Sequence, residues 1–285
     1  MRIGRFHRSA TIALIAATVV GSPLAAWAEG TGAFYDRSFV LAAHRRCALF
    51  APSVVSALTA STLQARGAAV RAGIADDTLR AAAARAQVRA SRTACEDPQL
   101  AMVRARVTDA FQGWSGLSKM TFPGGRSEWR ADRSTFSSPT WRLMQASSTG
   151  ASPVAFGLTA SPDGTEKVQA VVSFVGRPRP IAARIVLRDA GRLSRPLPSV
   201  LPPEPSRRAF WAHTHATAQP TLLSADRQQG QAWAFPAAAA DALAGLDPRE
   251  PFVVEFLFRD DSVARATFQA GDFAAGRAFI GMGRV

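Results

Sequence analysis

An apolar repeat that changes period near residue 116 limits what this chain can become more than any other feature of it. A period near 3.6 buries one stripe of a helix, and a period of two buries one face of a strand. Up to Trp114 the spacing is helical. In "DRSFVLAAHRRCALF" Phe39, Ala43, Cys47 and Phe50 fall on one face, with Asp36 placed to cap the start. A second helix is predicted over residues 52–72, with Pro52 in its first turn and Gly73 as its stop. The third, "DDTLRAAAARAQVRASRTAC", puts Arg85, Arg89 and Arg92 on one side, the pattern of a solvated face. Asp97 followed by Pro98 opens a fourth, whose stripe runs through Leu100, Val103, Val107, Ala110, Phe111 and Trp114.

Beyond "GWSGLSKM", short β-favouring runs alternate with Pro, Gly, Asp and Ser. Strands are predicted at "EWRADR", "TWRLMQA", "VAFGLTA", "KVQAVVSFV", "IAARIVLRD", "RRAFWAHTH", "QAWAF", "FVVEFLF" and "VARATFQ". The last two form a hairpin around "RDDS", and "SPDGTE" is a second turn. Two late helices are predicted, "PAAAADALAGL" with Pro236 in its first turn and "GDFAAGRAFI" with Asp272 as cap. Five prolines in residues 195–205 rule out helix interior and central strand, which leaves a surface loop. The fold class is therefore α+β. Residues 29–115 form a helical bundle, and residues 116–285 a mainly antiparallel sheet with two late helices.

The first 28 residues have a basic start, a short apolar run, a Gly/Pro break and a small-residue ending. Those are the marks of a secretory signal peptide cut between Ala28 and Glu29, and they predict a periplasmic protein. No later stretch is long and apolar enough to span a bilayer. In an oxidising compartment the two cysteines, Cys47 and Cys95, are expected to pair and to tie the first helix to the junction of the third and fourth.

The net charge is +13, or about +10 without Arg2, Arg5 and Arg8. The arginines are scattered rather than run together, which with the compartment argues against nucleic acid. The surface suits an unknown protein or an anionic envelope polymer as partner.

The chemical candidates are sparse. On one continuous strand, Trp211, His213, His215 and Thr217 would share a face, and His-x-His is a metal-ligand spacing. Zinc needs a third and usually a fourth ligand, yet His44 is flanked by Arg45 and Arg46, and only Asp226 and Glu255 remain as carboxylates to consider. His213 and His215 are thus weak metal candidates, and no catalytic, cofactor-binding or metal set is assigned. "GWSGL" lacks the last glycine of a nucleophile elbow. Glu128 and Asp132 share a strand face at glycosidase-like residue types only. Trp114, Trp129, Trp141, Trp211 and Trp233 are spread through predicted elements, as core anchors are.

The strings "CALFAP", "LQARGAAVRAG", "FPGGRSEWRADRS", "WRLMQ", "FPAAAADALAGLDPRE", "VEFLF" and "GDFAAGRAF" together resemble a set of uncharacterised exported proteins of Gram-negative bacteria. The resemblance implies export and a shared architecture, and brings no activity and no cofactor. The expected function is a non-catalytic cell-envelope or binding module. The alternative is a metal-assisted periplasmic hydrolase using His213 and His215.

Overall fold

The computed structural model describes residues 23–176 and 178–285, with side chains from residue 31 onward. Four helices come first: α1 (Pro23–Cys47), α2 (Pro52–Arg71), α3 (Asp76–Arg92) and α4 (Pro98–Ser115). The leader expected over residues 1–28 lies outside the described residues except for its last few, and α1 runs across the Ala28–Glu29 bond. Asp36 is therefore inside α1 and not at its start. No proline separates Pro23 from Pro52, and Gly30 and Gly32 cost only about 1 kcal/mol each, too little to break the helix.

The other helix signals act as the residues dictate. After α2, Gly73 takes φ +88°, its N–H donates to Val70 O, and the Ile74 N–H donates to Ala69 O, so Ile74 folds back onto Ala69. Asp97 Oδ1 accepts from the Gln99 N–H at 2.8 Å to cap α4. Cys47 and Cys95 are joined, with Cα atoms 5.5 Å apart, and tie the end of α1 to the turn before α4. The stripe on α4 is only partly covered. Leu100 is its one buried residue, while Val103, Val107, Phe111 and Trp114 are half-buried.

Eleven strands follow among the described residues. One sheet has the order β1-β2-β3-β4-β5-β9-β8, with β1 Lys119–Phe122, β2 Trp129–Asp132, β3 Thr140–Thr149, β4 Ser152–Ala160, β5 Glu166–Val172, β9 Gln231–Phe235 and β8 Thr214–Thr217. The other has the order β11-β10-β6-β7, with β11 Val263–Gln269, β10 Pro251–Leu257, β6 Ala182–Arg188 and β7 Arg207–Trp211. Every pairing is antiparallel. The fold is α+β as expected, with two packed sheets where a single one was predicted. Both predicted turns form, β10–β11 around Arg259–Ser262 and β4–β5 around Ser161–Thr165.

Aromatic side chains fill the space between the sheets. Trp129 and Phe156 of the large sheet meet Phe252 of the small one at ring separations of 6.5 and 5.1 Å, and Phe156 meets Phe268 at 5.6 Å. The Trp129 indole N–H donates to Ala270 O at 2.9 Å. Two late helices, α5 (Ala238–Ala244) and α6 (Phe273–Ile280), pack at one end, and Ala57 and Ala60 of α2 complete the same core.

Asp272 precedes α6, but its carboxylate does not cap that helix. It accepts two bonds from Arg71 of α2, at 2.7 and 3.0 Å. Gly67 makes room for it, because a Cβ there would lie 2.0 Å from Asp272 Oδ1. The proline-rich stretch 195–205 contains no strand and crosses near the start of β10, where the Ser199 N–H donates to Arg249 O. No helix among the described residues is long and apolar enough to cross a membrane.

Candidate functional site

The predicted strand "RRAFWAHTH" is two strands in two different sheets. The Ala212 N–H donates to Ala183 O of the small sheet, and the next residue, His213, donates from its N–H to Ala234 O of the large one. The chain thus changes sheets at this peptide, and the alternation that put Trp211, His213, His215 and Thr217 on one face is broken. His213 sits in the crossover and His215 on β8, both exposed. The His215 ring stacks on Trp233, with centroids 4.6 Å apart and planes 22° apart.

The other ligands considered for a metal are engaged elsewhere. His44 Nδ1 accepts from the Phe50 N–H at 3.1 Å, and Asp226 lies against Arg227. Glu255 is buried on the outer face of the small sheet, between Arg184 on β6 and Arg265 on β11. Burial pushes its carboxyl up, but hydrogen bonds from Arg265 and Arg184 and their charge outweigh that and hold it below the ordinary glutamate value. Among the described residues no group of three or more His, Cys, Asp or Glu is placed to hold a metal ion.

Glu128 lies just before β2, while Asp132 at its end faces Lys119 at 3.6 Å and accepts from the Ser134 N–H at 2.7 Å. Ser115 ends α4 with its hydroxyl donating to Gln112 O. The tryptophans divide. Trp129 and Trp233 are core, Trp114 and Trp141 are half-buried, and Trp211 is 48% exposed beneath the Arg184 guanidinium.

A different set of charges converges on the helices. Arg85, Arg89 and Arg92 line a shallow groove along α3 that continues to Thr93, Ala94 and Asp97. Arg89 lies over the Phe39 ring at 4.6 Å, which anchors it to α1. Arg46, from the last turn of α1, reaches the same end and donates to Ala90 O and Thr93 O at 2.5 and 2.8 Å. Those carbonyls close α3, so its negative dipole end steadies the guanidinium. The spacing of Arg85, Arg89 and Arg92 was legible in the sequence. The arrival of Arg46 was not, because it depends on how α1 crosses α3.

Sequence reasoning also missed a buried ionic cluster beside the proline-rich loop. Arg188 and Glu250 pair through two bonds of 2.5 and 2.9 Å, both almost wholly buried. Glu250 also accepts from the Leu197 and Asp247 N–H groups. Asp247, buried in turn, accepts from Arg249, and those bonds outweigh the upward push of burial to keep its carboxyl below the ordinary aspartate value. Each polar atom here has a partner within the protein, which is how a structural network is built. No protein-family model, curated protein or solved structure matches the chain.

Proposed function

We propose that the protein is an exported, non-catalytic module of the cell envelope that binds an anionic envelope polymer through the arginine face of α3. One observation carries this reading. Arg85, Arg89 and Arg92, with Arg46 beside them, gather on one surface and form no ion pair among the described side chains. By contrast Arg80, nearer the start of the same helix, pairs with Asp76 and Asp77. Like charges at i,i+4 repel on a helix surface, and phosphates or carboxylates of a polymer relieve that repulsion. The basic, small-residue-terminated leader and the paired cysteines support export, as does the resemblance to exported Gram-negative proteins.

Co-sedimentation with purified sacculi and with lipopolysaccharide tests the reading. Wild-type protein is expected to bind, to release as salt rises, and to lose most binding in Arg85→Glu/Arg92→Glu, two exposed changes that leave the fold intact. Binding that ignores both salt and the double variant defeats the proposal. So does turnover of an envelope substrate that one or two substitutions abolish.

A further inference from the structure

Gln231 and Trp233 leave the same face of β9 two residues apart, and each holds a buried polar atom without a hydrogen-bond partner among the described residues, Gln231 Oε1 and Trp233 Nε1. Native proteins leave few such atoms unpaired, because desolvating them without compensation is costly. The position is specific. His215 covers the Trp233 indole, and beside it a recess of about 430 Å³ opens along β8 and the start of β9. Val172, Phe174, Arg179, His215, Thr217 and Gln231 line it. Its size is that of a small-molecule site. Phe174 is braced edge-on against Phe256 and Phe258, at 5.3 and 5.2 Å, so the apolar wall is part of the core.

We propose that this recess binds a small carboxylate that also carries hydroxyl or ammonium donors. The ligand carboxylate pairs with the Arg179 guanidinium through charge-assisted hydrogen bonds. A ligand donor meets Gln231 Oε1, and entry of the ligand moves the His215 ring off the Trp233 indole face, so that Trp233 reports binding. Phe174 and Trp233 supply flat apolar surfaces for the carbon skeleton. A bare anion uses only Arg179, and an apolar molecule uses neither polar group, so carboxylate and donor are required together. This site belongs to the sandwich, and the arginine face belongs to the helices. Either can stand without the other.

The test titrates the full protein with glucuronate, D-alanine and acetate, reading affinity by calorimetry and the Trp233 indole N–H by NMR. Glucuronate or D-alanine is expected to bind and to move that resonance, and acetate to bind about tenfold more weakly or not at all. Which of the two binds tells whether the required donor is hydroxyl or ammonium. Arg179→Ala, an exposed loop change, is expected to weaken binding about tenfold, and Gln231→Leu to weaken it further while thermal unfolding stays cooperative. The proposal is overturned if neither donor-bearing acid binds better than acetate, or if Arg179→Ala binds as wild type does. It is equally overturned if the indole N–H of the ligand-free protein proves to be bonded to the Gln231 side chain.

Discussion

Between α1, α2 and α3 the commonest buried residue is alanine, whereas between the two sheets the buried residues include Trp129, Phe156, Phe252, Phe256 and Phe268. The difference decides how each region is held. Alanine stacks let helices approach closely but remove little apolar surface from water, and the helical contacts divide into two small clusters. One aromatic ring buries 150–250 Å² as a rule, and the inter-sheet rings merge into a single cluster that takes in α2 and α6. Only the helices carry a covalent tie, the Cys47–Cys95 bridge, while ion pairs occur in both regions, Arg66–Asp76 among the helices and Arg188–Glu250 in the sandwich.

The largest expected effect is in the sandwich. Trp129→Ala removes a fully buried ring and its hydrogen bond to Ala270 O, and is expected to cost about 5 kcal/mol. Denaturant unfolding followed by fluorescence and far-ultraviolet dichroism measures it. Survival of an unshifted helical transition would mean that the two regions unfold independently, which sharpens the contrast.

Replacing both cysteines with serine comes next, at about 4 kcal/mol for a 48-residue separation in the chain-entropy account. The loss should be local. Amide exchange is expected to quicken in α4 and at the ends of α1 and α3, with β4 and β10 unchanged. Equal loosening of the strands would break the comparison.

A smaller effect is expected at the Arg184–Glu255–Arg265 row. Glu255→Gln leaves two arginines facing a neutral amide, and because both are partly exposed the cost at neutral pH is about 1–2 kcal/mol. The acid side of the stability curve separates the regions further. Glu255 titrates below its ordinary value, so its contribution is present above the usual glutamate range and is lost as pH falls through the lowered folded value.

Asp272 behaves oppositely. Burial raises its carboxyl above the ordinary aspartate value despite the bonds from Arg71, so its ionisation weakens the seam between α2 and α6 as pH rises through that raised value. Asp272→Asn should therefore remove the pH dependence of amide protection in α6, measured relative to the intrinsic exchange rate, while costing under about 1 kcal/mol at pH 7, since Arg71 remains partly solvated. A steep loss of stability in that variant at neutral pH would contradict the sign assigned here.

The smallest effect is at His213, where alanine is expected to change stability by no more than about 0.5 kcal/mol. Elemental analysis of protein purified without added metal should find zinc well below one equivalent. A full equivalent lost in His213→Ala would favour the hydrolase reading.

Much of the architecture can be read from neighbours in the chain. Helix starts at Pro52 and Asp97–Pro98, the stop at Gly73, and the turns of both long hairpins need only a few adjacent residues to form. The same locality misled at Asp36 and Asp272, where a capping residue type sits at a plausible place but the chain or a distant arginine takes precedence. β1 was missed because "KMTF" is too short to register alone and exists through its pairing with β2.

The sequence by itself determined the class of structure, because hydrophobic period, proline, glycine and the two cysteines act over a few residues or through a covalent bond. Only the tertiary structure decided that one apparent strand would serve two sheets, separating Trp211 from His213 and His215. It also chose partners as remote as Arg71 and Asp272, 201 residues apart, and gathered Arg46 beside the arginines of α3. Those outcomes depend on which faces meet when helices and sheets pack. No local pattern encodes a contact whose two halves have yet to be brought together.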